Sequence, residues 1–183
     1  MTVAPVPWAA IFGNTRAVEV EIGPGRGDVL LAFARARPER NFFGIEHRLA
    51  AAEALSARAQ RQGLTNVRTI GADARCIVPQ FVPPGSVAAY HLYFPDPWPK
   101  NRHRGRRVVD GAFAAALATT LAPDGQVHVA TDLPDLFAAI CRTLSAAGLV
   151  AAPAATSPVR PLSRFERKYA SAGAYGASFV QHS

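Results

Sequence analysis

The sequence predicts an α/β fold, a mostly parallel sheet flanked by helices. Two observations carry that expectation. Short β-rich runs alternate with helical stretches along most of the chain, and glycines or acidic residues stand where several of the runs end. Hydrophobic residues make up 49% of the sequence, enough to cover a central sheet on both faces.

The elements follow in order. Val18 to Ile22 (VEVEI) reads as the first strand and stops at glycines. Asp28 to Arg37 carries Val29, Leu30, Phe33 and Ala34 at helical spacing and ends before Pro38. Asn41 to Glu46 is the second strand, and Ala50 to Gln62 an alanine-rich helix with Gly63 as its C-terminal cap. Asn66 to Gly71 is the third strand, with Asp73 just beyond it. Val87 to Phe94 is the fourth, ending in prolines. A helix over Ala112 to Leu121 breaks at Pro123-Asp124-Gly125 before a fifth strand, Gln126 to Thr131, that ends at Asp132. Leu136 to Ala147 is a further helix. From Leu149 a proline-punctuated loop leads to a final strand near Gly176 to Val180.

The 183 residues fit one domain, 1–183, with a short leading segment 1–17 and a trailing segment from about 153 to 183. Cys76 and Cys141 stand far apart and outside any Cys/His cluster. They read as buried thiols, with no disulfide framework and no metal site, and suit a reducing cytoplasm. The opening MTVAPVPWAAIFG has no basic stretch before its apolar residues and does not read as a secretory signal. No apolar run reaches membrane-spanning length. Net charge is +7, and KNRHRGRR from Lys100 to Arg107 concentrates the cations. Such a block favours a polyanion. It lacks the apolar face of an interfacial helix, so nucleic acid is preferred over lipid.

The first strand runs into Glu21-Ile22-Gly23-Pro24-Gly25-Arg26-Gly27. Alternate glycines after a strand permit positive φ and close approach of a ligand to the backbone. A dinucleotide fingerprint would need another glycine where Asp28 stands, and Glu21 would face a pyrophosphate with like charge. S-adenosylmethionine carries no phosphate, and its ammonium and sulfonium suit a carboxylate. Glu46 ends the second strand 19 positions after Gly27, where an acid can accept both ribose hydroxyls; Asp73 follows the third, within reach of an adenine amino group. NAD would explain Glu46 equally well but neither Glu21 nor Asp28.

Tyr93-Phe94-Pro95-Asp96-Pro97-Trp98-Pro99-Lys100 is the most distinctive stretch. Its three alternating prolines push Phe94, Asp96 and Trp98 toward extended geometry and pre-organise a loop at the sheet's carboxyl edge. Aromatic rings there can stack on a flat base while Asp96 accepts its amino or imino hydrogens. Trp98 equally suits a core-filling role.

In these residues the chain resembles the bacterial TrmB-type tRNA (guanine-N7)-methyltransferases. The carriers are Glu21-Ile22-Gly23-x-Gly25-x-Gly27, Gly44-Ile45-Glu46, Asp73-Ala74, FPDPWPKNRHRGRR from Phe94 to Arg107, and Ala130-Thr131-Asp132. The likeness runs from about Val18 to Glu166. It implies a Rossmann-like class I S-adenosylmethionine-dependent methyltransferase fold with a seven-stranded sheet. It also implies cofactor contacts from Glu21, Gly23, Gly25, Gly27, Glu46, Asp73 and Asp96, with Asp96 at the catalytic centre. The tRNA substrate would meet Lys100, Arg102, Arg106, Arg107, Asp132 and the segment Ser163-Arg164-Phe165-Glu166. That segment replaces the family's usual threonine-lysine-phenylalanine-glutamate, and the family's aromatic-acid ending is not reproduced near Ala177 to Val180.

Guanine N7 offers a lone pair at neutral pH, so transfer needs no general base; Asp96 is expected to orient the base and stabilise its developing charge. His91 and His128 lie within strands and read as structural residues. Two other readings stay open, a small-molecule methyltransferase on the same sheet and a non-catalytic RNA-binding protein that keeps the fold.

Overall fold

The structure is a computed structural model that describes residues 4–97, 107–153 and 174–181. The elements are α1 (Trp8–Phe12), β1 (Val18–Ile22), α2 (Asp28–Ala36), β2 (Asn41–Glu46), α3 (Leu49–Arg61), β3 (Val67–Gly71) and α4 (Ala74–Phe81). They continue with β4 (Val87–Tyr93), α5 (Gly111–Thr120), β5 (Leu121–Thr131), α6 (Pro134–Ala146), β6 (Leu149–Ala151) and β7 (Tyr175–Gln181). Seven strands form one sheet in the order β3-β2-β1-β4-β5-β7-β6. β1 to β5 pair in parallel, and β7 runs antiparallel to both β5 and β6.

Every residue of β1 and β2 is buried, as expected for parallel strands covered on both faces. On one face α2 and α3 pack Leu30, Phe33 and Leu55 over Phe42; the other holds a larger core around Val20, Tyr90, Leu92, Phe113, Leu117 and Phe179. Burial of these side chains is the main source of stability. Strand order reverses between β1 and β4, which opens a crevice at their carboxyl ends, where open α/β sheets take ligands.

Several expectations are corrected. Pro123-Asp124-Gly125 does not separate helix from strand: α5 passes directly into β5 at Leu121, and a register jump absorbs the intervening residues. Val87 stands opposite Leu121, whereas Ala89 stands opposite Gln126. α4 is not among the expected elements; it forms despite Pro79, because Asp73 caps its start and the proline falls near its end. Cys76 is exposed and Cys141 only half-buried, because α4 turns the first outward. Phe94 is not extended. Its φ is +50°, and its N–H donates to the Ala130 carbonyl at 2.7 Å, so the chain folds sharply back as β4 ends.

Candidate cofactor and substrate site

A cavity of about 770 Å³ lies at the strand reversal, within the size range of small-molecule sites. It is built outward from the ends of four elements. β1 supplies Ile22 and the turn residues Gly23 and Gly25, β2 supplies Ile45 and Glu46, the start of α4 brings Asp73 and Arg75, and the end of β4 brings Tyr93, Phe94, Pro95 and Asp96.

The glycines divide into two roles. Gly23 and Gly25 have φ of +71° and +55°, and a Cβ on either would meet open space, so their backbone is presented to the cavity. Gly27 lies behind the turn. A Cβ there would collide with the Leu55 side chain, so this glycine lets α2 start close against α3. Asp28, which stands in place of a further glycine, pairs with Arg58 at 2.8 Å.

Glu46 is only 6% exposed, and its carboxylate organises the turn. Oε2 accepts the Gly25 N–H at 3.0 Å and Oε1 the Arg48 N–H at 3.1 Å. A carboxylate offers about four lone-pair positions, so further acceptor capacity faces the cavity. Glu21 is buried within β1, beside Gly44 and His91 across the sheet, and is not among the cavity's lining residues.

Asp73 does two jobs. Its Oδ1 accepts the Arg75 N–H at 2.9 Å, capping α4, while the Arg75 guanidinium grips Oδ1 through Nε at 3.3 Å and Oδ2 through Nη2 at 3.0 Å. The guanidinium hydrogen bonds hold the Asp73 carboxyl below its usual range, against the opposing pull of burial. Arg75 escaped the sequence reading. An Asp with an Arg two residues on is a readable capping pair, but Pro79 disguised the helix it caps.

Asp96 is exposed and borders two spaces. A second cavity of about 170 Å³ shares Pro95, Asp96 and Val108 with the first and continues past Arg107 to Leu136 and Ile140 of α6. Arg107 Nε donates to the Pro97 carbonyl at 3.0 Å, bracing the loop. Asp132 is half-buried just after β5, beside Thr131 whose hydroxyl accepts the Leu133 N–H at 3.3 Å. Trp98, Lys100, Arg102, Arg106 and Ser163, Arg164, Phe165 and Glu166 lie outside the described residues. Among the described residues no group of three His, Cys, Asp or Glu side chains is placed to hold a metal ion, and no helix is long and apolar enough to cross a membrane.

His91 and His128 occupy the sheet interior and are hydrogen-bonded. His91 Nε2 lies 2.8 Å from Glu19 Oε2 and its Nδ1 lies 2.9 Å from the Tyr93 hydroxyl, while His128 Nδ1 lies 2.8 Å from Ser178 Oγ.

Comparison with known proteins agrees with this geometry. A family model described as "Putative methyltransferase" matches residues 15–176. The tRNA (guanine-N(7)-)-methyltransferase of Ralstonia nicotianae is 38% identical over 170 residues, which cover 90% of this chain and 68% of that protein. The protein of the same description from Sodalis glossinidius is 38% identical over 174 residues, 90% of this chain and 71% of the relative. Among solved structures, the 16S rRNA methyltransferase KamB superposes with a TM-score of 0.69 at 16% identity, covering 96% of this chain and 93% of that one, a likeness of fold. On sequence, motif and architecture together, the chain belongs to the family of bacterial tRNA (guanine-N7)-methyltransferases.

Proposed function

We propose that the protein transfers a methyl group from S-adenosylmethionine to N7 of a guanosine in the variable loop of tRNA, and that it works in the cytoplasm. The observation that carries this reading is the single cavity lined by Gly23, Gly25, Glu46, Asp73 and Asp96 in a chain whose close relatives are described as tRNA (guanine-N7)-methyltransferases.

The cavity suits the cofactor on its own chemistry. Open glycine backbone can meet the amino-acid end, the buried Glu46 carboxylate can accept ribose hydroxyls, and Ile22, Ile45 and Val108 give an apolar bed for a purine. Glu21, buried at the end of β1 two residues before Gly23, is assigned to the cationic part of the cofactor by the family resemblance. Asp73 keeps acceptor capacity on Oδ2 for the adenine amino group, beside the Arg75 guanidinium. Gly27 contributes by shaping the turn.

S-adenosylmethionine supplies the methyl group, activated by its positively charged sulfur. The protein's part is placement. No side chain need remove a proton from N7 before transfer, so Asp96 is assigned to orient the guanine and to stabilise the positive charge the purine gains. Its place between two adjoining cavities supports that role, with cofactor on one side and base on the other. Lys100, Arg102, Arg106 and Arg107 are assigned to phosphates, and Asp132 with the trailing segment Ser163 to Glu166 to the nucleoside.

Calorimetry with S-adenosylmethionine, alone and with unmodified tRNA, tests the reading. Binding of both ligands supports it. Cofactor binding without any tRNA binding would point to a small-molecule methyltransferase, and tRNA binding without cofactor to an RNA-binding protein.

A further inference from the structure

The sheet interior holds a polar chain that the proposed reaction does not use. Glu19 is 1% exposed. Its Oε1 accepts from Arg37 at 2.7 Å and Arg40 at 3.0 Å, and its Oε2 meets His91 Nε2 at 2.8 Å. Burial pushes the Glu19 carboxyl up, but His91 and the two guanidiniums outweigh it and hold the group below its usual range. An ionised Glu19 accepts from the Nε2 hydrogen of His91, and His91 Nδ1 hydrogen-bonds the Tyr93 hydroxyl at 2.9 Å. The imidazole cannot easily swing: Phe33 and His128 pack on it, each with ring centroids 5.2 Å away, the latter nearly parallel at 19°.

Tyr93 is where this chain reaches the cavity. It lines the wall, and the residue after it, Phe94, has the only positive φ among the described non-glycine residues. Such a conformation persists only where the surroundings over-determine it. Three ties do so: the Tyr93 hydroxyl to His91, the Phe94 N–H to Ala130, and Arg107 to the Pro97 carbonyl. Asp96 lies between the second and third. Apolar side chains would fill the interior at Glu19 and His91 without the cost of burying charge. What those residues add is a directional bond on Tyr93.

We propose that Glu19 and His91 are positioning residues which, through the Tyr93 hydroxyl, hold the Phe94–Asp96 turn in register with the cofactor cavity. The proposal rests on the methyltransferase reading above.

A double-mutant cycle on the full chain tests it. Tyr93→Phe deletes the hydroxyl alone, and His91→Gln removes its partner. Single-turnover methylation of tRNA at saturating cofactor should fall about tenfold for Tyr93→Phe, the scale of loss expected from a small misplacement of reacting groups. The dissociation constant for S-adenosylhomocysteine should stay within about twofold, which also certifies that each variant is folded. In the His91→Gln background, Tyr93→Phe should have no further effect on the rate, because the two act as one unit. An unchanged rate with a lowered melting temperature would make the chain structural only. Independent, multiplying rate losses would break the link between the two residues. A loss confined to cofactor affinity would leave Tyr93 as a cavity wall and nothing more. Absence of tRNA methylation by the parent protein would overturn the methyltransferase reading itself, and this proposal with it.

Discussion

Gly25 donates its backbone N–H to Glu46 Oε2 at 3.0 Å, so the turn after β1 is tied to the end of β2 by one buried carboxylate. Glu46 therefore shapes the glycine turn as well as offering acceptors to a ribose. Replacing it with alanine removes a charged hydrogen-bond partner worth about 1.5–3 kcal/mol. Glu46→Ala should weaken S-adenosylmethionine binding by at least about tenfold while the fold is kept, read by calorimetry and circular dichroism. An unchanged dissociation constant would remove Glu46 from the site.

Asp96→Asn keeps the shape of the loop and removes its negative charge. Single-turnover methylation should fall about 100-fold, the scale seen when one electrostatic contact to a transition state is lost. Cofactor affinity should change only modestly. Chemistry within about twofold of the parent would mean that Asp96 shapes the loop and does not act on the base.

His128 gives a stability prediction independent of ligands. Burial first, and the nearby His91 second, lower its pKa from 6.5 to about 3. The folded value lies below the unfolded one, so the unfolded chain binds more protons between the two. The contribution is full above pH 6.5 and is lost as pH falls through that window. Between pH 6.5 and 5.5 the loss from this residue should be about 1 kcal/mol. Urea unfolding of His128→Gln should show a correspondingly shallower decline over the same range. Parallel curves for parent and variant would mean that His128 is no harder to protonate in the fold than out of it.

The parts of the fold legible in sequence were those written in local composition. The strands Val18–Ile22 and Asn41–Glu46 announce themselves as short β-rich runs bounded by turn residues, and Glu46 and Asp73 as acids at strand ends. What stayed hidden had a physical reason in each case. Pro79 masks α4, because a proline in a short helix looks like a stop. Pro123-Asp124-Gly125 reads as a break, yet a bulge between paired strands absorbs it. β6 spans only Leu149–Ala151, too short to show a period. The extended geometry expected before Pro95 gave way to the bond between Phe94 and Ala130, whose carbonyl lies on another strand. Glu19 and His91 are 72 residues apart, so nothing local joins them. Arg75, whose side chain closes around Asp73, needed the helix to be recognised first.

The basic block should hold RNA phosphates, not read bases. If about four of Lys100, Arg102, Arg104, Arg106 and Arg107 neutralise phosphates, log affinity for tRNA should fall with log salt at a slope of about −3 to −4. Replacing Arg106 and Arg107 together should flatten the slope by somewhat less than about 2 and weaken different tRNAs alike, leaving cofactor binding intact. An unchanged slope would mean that Arg106 and Arg107 do not neutralise phosphates and would bring a small-molecule substrate back into contention.

The most direct test of the central claim is the product. Unmodified tRNA incubated with the protein and methyl-labelled S-adenosylmethionine, then digested to nucleosides, should yield labelled 7-methylguanosine from the variable loop. Asp96→Asn should nearly abolish that signal. Label in another nucleoside, or no label in tRNA despite measurable cofactor binding, would contradict the account.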